Sequence, residues 1–418
     1  MSAIEVRGVD RAAWDDLVRP FREATVFHRL AWLDTLSAVH GYEIVLAEAL
    51  EAGRRLAVWP ALQTRKGPLR VIGSPLPGSS TTYMGPLIHP DADPGAVIEA
   101  FLRHEPFRRA AYLACRVIDR ERPVNLTRFG FSMVKRFPTY WIDLTRSEER
   151  LWSDLKSECR SRIRKAQKLG LEVRREEAGA FVDDFWKMSV ETFARSRTRP
   201  TYTHAFVREL WNRLHGGDEV LVLSAFLRGE RIATLVLPMD DHALYYWGGA
   251  SFQRHRALPS HNLLHWEAIL EGKRRKLAGY DLISTNGGPG RFKRTFGPRE
   301  VPMATHWERS SSRWTAVLKG AYEQYRRRRL GLAPRAVEAS DDDDRVRVVH
   351  VISGLRMGGA ETMLYKLLSH SDRREFASEV VSLTDVGVVG ERIGDLGVRV
   401  RSLGLRSPAA GPAAVWRL

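Results

Sequence analysis

An internal repeat restricts the fold of this chain more than any other feature. When the sequence is displaced against itself by 176 positions, His28 falls on His204, Gly41 on Gly217 and Glu43 on Glu219. Without a gap, Ala49 then falls on Ala225, Gly53 on Gly229, Arg55 on Arg231 and Ala57 on Ala233. The pairs Leu50/Phe226 and Leu56/Ile232 are apolar in both copies. Each copy reads as a helix ending near a glycine, a strand, a turn around the second glycine, and another strand. In the second copy the expected strands are 219–227, 232–239 and 242–247, separated only by Arg228-Gly229-Glu230 and Asp240-Asp241. Connections that short join neighbours into an antiparallel meander. The first copy diverges after Gln63 into a Gly/Pro/Ser-rich passage, GSPLPGSSTTYMGPLIHP.

Residues 245–298 read as strand, basic loop, helix, strand and glycine-rich basic loop. The apolar run Tyr245-Tyr246-Trp247 stops at Gly248-Gly249, and Arg254, His255 and Arg256 precede Pro259 and Ser260 at a helix start. Leu263, Trp266, Leu270 and Leu277 then make one apolar helical stripe. Gly279 is placed to end that helix in a left-handed conformation. A strand at 281–285 leads into the loop Asn286-Gly287-Gly288-Pro289-Gly290-Arg291-Phe292-Lys293-Arg294. The arrangement suits an anion. Unpaired N–H groups at the helix start, at Ser260, lie beside Arg254 and Arg256. Glycines in the second loop let backbone N–H groups, with Asn286, approach a ligand that Arg291, Lys293 and Arg294 can neutralise. A solvated basic loop closing an ordinary βαβ unit would look the same residue by residue. Two such loops at one end of neighbouring strands favour binding.

This stretch resembles the closing region of FemAB-type acyltransferases of the wider GNAT superfamily, through GGAS (248–251), NLLHWEA (262–268) and above all RFKRTFG (291–297). FHRLAWL (27–33), YMGPLI (83–88) and CRSRIRKAQKLG (159–170) are similar to further parts of the same group. The resemblance implies an α/β (α+β) chain of two tandem GNAT-like units with mixed, partly antiparallel sheets, 1–140 and 141–330, the second holding the active site. It implies transfer of an acyl or aminoacyl group to an amine of a cell-envelope or exopolysaccharide precursor. The donor would be an acyl-CoA, slightly favoured, or an aminoacyl-tRNA. The acceptor would be an amino sugar or peptide, nucleotide-linked, lipid-linked or free. Lys293 is then the candidate catalytic residue, as the cation that stabilises an oxyanion. No general base stands out; Asp281, His261 and His265 are more simply structural.

Residues 148–168 read as one amphipathic helix, apolar at Trp152, Leu155, Cys159, Ile163 and Ala166 and basic elsewhere. Its basic face is either merely solvated or a positive wall that touches pyrophosphate or RNA through Arg160, Arg164 and Lys165. Cys159 lies on the core stripe with no neighbouring base, which argues against a nucleophile. A further helix is expected at 312–329, ending in four arginines, then an acidic, proline-containing linker at 331–344. From 345 to 418 the pattern turns to alternating strands and helices. HVISGLRMGGAETMLYKLL (350–368) resembles the opening of retaining GT-B glycosyltransferases, which implies an incomplete Rossmann-like segment unable to transfer a sugar alone.

The net charge of +16 favours anionic partners, with tRNA and a membrane surface among them. Two cysteines without a CxxC or Cys/His cluster argue against a zinc site or a disulfide framework, and no metal is expected. The opening residues lack a signal pattern and no apolar run reaches transmembrane length, so a cytoplasmic protein is expected. Two competing readings remain at this level: a glycosyltransferase-associated protein, and a non-catalytic basic protein that binds RNA or a membrane surface.

Overall fold

The repeat persists in the backbone down to its irregularities. The computed structural model describes residues 3–118, 124–195, 198–283, 287–312, 346–372 and 376–404. The first copy runs β1 (Glu5–Gly8), α1 (Trp14–Val18), α2 (Leu30–His40), β2 (Glu43–Glu51), β3 (Arg54–Lys66), β4 (Leu69–Ser74), β5 (Leu87–Ile88), α3 (Pro94–Arg103) and β6 (Tyr112–Ile118). Then come β7 (Ser132–Asp143), α4 (Glu148–Asp154), α5 (Ser157–Lys168), β8 (Glu172–Arg175) and α6 (Phe181–Arg195). The second copy runs α7 (His204–Leu214), β9 (Val220–Leu227), β10 (Glu230–Pro238), β11 (Ala243–Tyr245), β12 (Gly248–Ser251), α8 (Ser260–Arg274), β13 (Gly279–Asp281), α9 (Gly287–Arg294) and β14 (Arg299–Ser310).

The hairpins β2–β3 and β9–β10 are superposable in kind. Both turns carry two consecutive positive φ values, Ala52 and Gly53 at +48° and +80°, Arg228 and Gly229 at +51° and +83°. Two positive φ values fit the right-handed twist of the flanking strands, and glycine takes the second at no steric cost. Both hairpins also bulge at the same place, with Leu56 and Ile232 left out of the pairing. The equivalent helices α2 and α7 pack together, Trp32 meeting Phe206 edge-on at 6.0 Å between ring centroids.

After the hairpins the copies part ways. Among the described residues a ten-stranded sheet runs β1-β2-β3-β4-β6-β14-β7-β13-β11, with β5 beside β3, and a four-stranded sheet runs β12-β10-β9-β8. The long sheet is mixed: β4–β6 and β11–β13 are parallel, the rest antiparallel. Residues 243–251 serve both sheets. Tyr245 still pairs with Asp281 of β13 and Tyr246 N–H donates to Asp281 O at 2.8 Å. Two residues later Gly248 faces Val236 of β10. The sheets therefore join at β11 and separate beyond Tyr246.

A buried carboxylate ties the copies together at this junction. Asp240 accepts hydrogen bonds from Val26 N (2.9 Å), His242 N (2.8 Å), Ala243 N (3.0 Å) and Tyr245 Oη (2.8 Å). Arg29 adds ion pairs to Glu219 (2.9 Å) and Asp241 (2.7 Å).

The described structure forms two units, Met1–Ala333 and Pro334–Leu418. In the second, β15 (Val346–Ile352), β16 (Phe376–Ser382) and β17 (Arg399–Ser402) lie parallel in sequence order, joined by helices at Gly359–His370 and Gly387–Asp395. Its core gathers Leu355, Leu368, Val380, Val389, Ile393 and Val398. Val349 and Val351 remain 57% and 55% exposed. A parallel sheet normally has both faces covered, and the described elements of this unit leave these two side chains exposed.

Three expectations need correction. The helix expected at 148–168 is two helices, because Leu155 and Lys156 are extended. There Lys156 N–H leaves the helical ladder for Thr295 O at 2.8 Å, and Arg160 caps the carbonyls of Ser153 and Leu155 at the end of α4. The glycine-rich loop expected before Lys293 is the helix α9. The left-handed residue after α8 is Lys276 (φ +58°), whereas Gly279 begins β13, where a Cβ would stand 1.8 Å from the Trp141 ring. The helix expected at 312–329, save Ser312, and the linker at 331–344 lie outside the described residues.

The three large apolar clusters of the first unit draw on residues up to Trp307, and the fourth lies wholly in the second unit. A chain ending at Ala333 should therefore unfold in one cooperative transition at an unchanged midpoint. Loss of cooperativity in thermal circular dichroism would show that the first unit needs the second.

Candidate active site

The site grows from the separation of β11 and β13 from β12. Lys293 on α9 points back into this region and is 5% exposed. Its Nζ donates to Ile283 O, just past β13, and lies 5.0 Å from the centroid of the Tyr246 ring. Burial lowers its pKa from the ordinary lysine range to about 8, and the nearby Asp281 carboxylate opposes that shift. Asp281 is itself fully buried and accepts from Thr139 Oγ1 on β7 and from Ile283 N–H at 2.7 Å.

α9 is held where the motif predicts by contacts on both sides. Phe292 and Phe296 pack edge-on at 5.3 Å and both meet the His265 ring. Gly297 closes the motif at φ +70°, and a Cβ there would stand 2.2 Å from Asp154 O, so only glycine fits. His265 on α8 is buried, with Nδ1 2.8 Å from Tyr280 Oη. Burial, aided by the charges of His261 and Lys293, holds its pKa well below the usual imidazole range. It is a neutral packing residue. His261 is likewise lowered to about 4, chiefly by burial.

α8 reaches this region through His265, whose ring meets that of Tyr246 at 4.8 Å. Pro259, at its N-cap, supplies no side-chain acceptor, and Ser260 is buried at the first position. Arg254 is bound to Glu230 and lies over the Phe252 ring at 4.4 Å, while Arg256 is exposed. The N-terminal half of α5 adjoins α8, with Asn262 Nδ2 donating to Cys159 Sγ at 3.5 Å. On α5, Arg160 is occupied with the end of α4, Arg164 lies 5.5 Å from the Trp152 ring, and Lys165 is exposed. Burial raises the Cys159 thiol, which keeps it protonated. On α9, Arg294 donates to Tyr140 Oη across the Tyr140 ring and Arg291 is exposed. Asn286 lies outside the described residues.

Lys293, Tyr246 and His265 with Phe292 and Phe296 are thus brought together, while Arg160 and Arg254 are largely committed to structural partners. Sequence reasoning missed Tyr246 and Thr139. Tyr246 reads simply as part of an apolar strand, and Thr139 reaches Asp281 from 142 residues away.

Residues 153–294 match the model of a GNAT acetyltransferase domain. The structure is similar to that of FemX, with a TM-score of 0.63 at 13% identity over 77% of this chain and 100% of that one. The chain has a GNAT/FemX-like fold. It is also similar to a conserved Bacteroides thetaiotaomicron protein of unknown function, with a TM-score of 0.51 at 9% identity over 73% of this chain and 100% of that one. The C-terminal domain of a putative lysylphosphatidylglycerol synthetase from Agrobacterium fabrum gives 0.50 at 13% identity, over 75% and 97%. A search of curated protein sequences finds no match. Among the described residues no helix is long and apolar enough to cross a membrane, and no His/Cys/Asp/Glu group could hold a metal ion.

The lowered Lys293 pKa makes stability depend on pH. The folded lysine gives up its proton near pH 8 and the unfolded one near 10.5, so in that window the unfolded chain binds more protons. The destabilisation from keeping Lys293 charged is complete below pH 8 and is relieved as pH rises through the window. Urea titrations should show Lys293→Met gaining stability relative to the native chain at pH 7 and losing that advantage by pH 10.5. Parallel curves at the two pH values would contradict the assigned shift.

Proposed function

We propose that the protein is an N-acyltransferase that moves an acyl group from an acyl-CoA to an amine of a cell-envelope or exopolysaccharide precursor. The observation that carries this reading is Lys293, a buried ammonium fixed by Ile283 O and the Tyr246 ring where the two sheets separate. In such a reaction the neutral amine attacks the thioester carbonyl, and its oxygen becomes an oxyanion in the tetrahedral intermediate. Collapse expels the thiolate, which takes up a proton as the amide nitrogen loses one. A cation already desolvated and positioned stabilises the oxyanion with little reorganisation. With a pKa of about 8, Lys293 is mostly protonated at pH 7.

The first turn of α8, with Ser260 and the exposed Arg256, is assigned to donor phosphates, with Arg291 and Arg294 lending positive potential. We assign residues 1–140 to one wall of the cleft and 141–330 to the catalytic unit. We read the second structural unit as part of a GT-B glycosyltransferase half, on its parallel β–α–β order and the glycine turn before Gly359–His370.

Replacement of Lys293 by Met keeps most of the stem and removes the charge. Turnover should fall by roughly a hundredfold, equivalent to about 3 kcal/mol, without loss of fold. Arg294→Met should cost far less, since that charge is exposed. A Lys293→Met protein with near-native kcat would refute the assignment. The donor can be tested separately. Activity with an acyl-CoA should be indifferent to ribonuclease and only mildly sensitive to salt, whereas an RNA donor held at several phosphates would lose affinity by orders of magnitude as salt rises.

A further inference from the structure

The basic face of α5 has no part in the reaction assigned above, and its charges are arranged unlike those of other helices in this unit. On those helices cations are matched one turn away: Arg103 with Glu99 on α3, Arg150 with Asp154 on α4, Arg213 with Glu209 on α7, and Arg274 and Arg275 with Glu271 on α8. Opposite charges three or four residues apart steady a solvated helix surface. On α5 such pairs are missing. Lys156 at the N-cap, then Arg162, Arg164, Lys165 and Lys168, are all exposed. Among the described residues none of them has a carboxylate within ion-pair distance. Glu158, in the first turn, is the one acid of the helix.

The cations are also neighbours of one another. Arg162 and Lys165, and Lys165 and Lys168, are three residues apart, and Arg164 and Lys168 are four apart. Like charges at these spacings destabilise a helix. The helix dipole accounts for Lys165 and Lys168 in the last turn, but not for Arg162 and Arg164. Nor can α5 rotate to redistribute them. Cys159, Ile163 and Ala166 are fully buried on the opposite side, and Arg160 is occupied at the end of α4.

The outer face is therefore convex and cationic. Leu169, 43% exposed, directly follows Lys168 and is the one large apolar side chain beside it. Faces that bind RNA add aromatic platforms for bases or a groove that tracks the backbone. Trp152, the aromatic neighbour, is half-buried with the Arg164 guanidinium 5.5 Å from its ring. Diffuse cations and an exposed leucine on the outside of a single helix suit a flat layer of anionic headgroups, which demands no register.

We propose that the outer face of α5, through Arg162, Arg164, Lys165 and Lys168, docks the protein peripherally on an anionic lipid bilayer. The apolar stripe of α5 stays in the core, so the attachment is electrostatic and reversible. It relieves the repulsion among the four cations. The surface goes beyond the acyl-transfer reading and stands whether or not that reading holds.

Flotation of the full chain with vesicles tests the surface, using phosphatidylcholine alone or equal parts phosphatidylcholine and phosphatidylglycerol. The chain should bind only the second kind, and about 0.5 M salt should release it, because screening then acts within a few Å. Each cation removed should weaken partition by about fivefold, so Arg162→Gln, Lys165→Gln and Lys168→Gln combined should cost roughly a hundredfold. That triple variant should melt no lower than the native chain, since no ion pair is lost. Arg103→Gln, which removes an exposed cation from α3, should leave partition unchanged. Transfer RNA added at equal phosphate concentration should leave the chain on the vesicles; displacement would assign the face to RNA and overturn the proposal. Equal binding to both vesicle types, no binding to either, or native partition in the triple variant would overturn it as well.

Discussion

The transfer of residues 243–251 from one sheet to the other is the constraint on which the candidate site depends. Up to Tyr246 the backbone is paired with β13, and from Gly248 it is paired with β10. Buried backbone groups need partners, so a strand can leave a sheet only where something else receives it. Trp247 marks the crossing. Its indole N–H donates to Ser80 O at 2.9 Å, and its ring stacks on Phe206 at 5.5 Å and meets Tyr202 at 4.6 Å. Beyond it the chain pairs in the other sheet, and the side chain of Lys293 lies against the Tyr246 ring beside the crossing. A continuous ladder here would leave no place for a substrate.

The same crossing explains why the two copies are interlocked rather than strung together. Asp240 sits in the turn just before β11 and spends its buried charge on four donors, one of them the Val26 N–H of the first copy. Burial raises its pKa, and the hydrogen bonds oppose that. Removing a single donor would leave a buried carboxylate short of partners, a costlier loss than that of an ordinary hydrogen bond. Ser80, whose hydroxyl reaches Thr201 O at 3.1 Å, fastens the diverged passage of the first copy to the second. That passage lost resemblance to its counterpart while becoming part of the joint.

What the sequence discloses follows the range of the interactions involved. The hairpins were legible because their cause is local: a glycine in the turn and connections too short to join anything but neighbouring strands. Lys293 was legible because its motif is contiguous. The break at Leu155–Lys156 was not, because the competitor for the helical N–H is Thr295 O, far along the chain. Nor was α9, where three glycines and a proline argue for a loop on propensity alone. Packing of Phe292 and Phe296 around His265 overrides that preference.

The two unusual cations share a design. Lys293 and the half-buried Arg116 each donate to backbone carbonyls and lie near an aromatic ring, Ile283 O with Tyr246 for one, Thr81 O and Thr82 O with Phe137 for the other. A carboxylate in direct contact would have stabilised either charge more and would also have neutralised it. Carbonyl dipoles orient a cation without cancelling its field. Asp281, whose carboxylate opposes the lowering of the Lys293 pKa, accepts the Thr139 hydroxyl and the Ile283 N–H. Most other interior cations here are matched conventionally, Arg231 by Glu176 and Asp184 and Arg29 by Glu219. Arg231 and Arg29 hold the fold together through carboxylates, whereas Lys293 meets a backbone carbonyl and an aromatic ring.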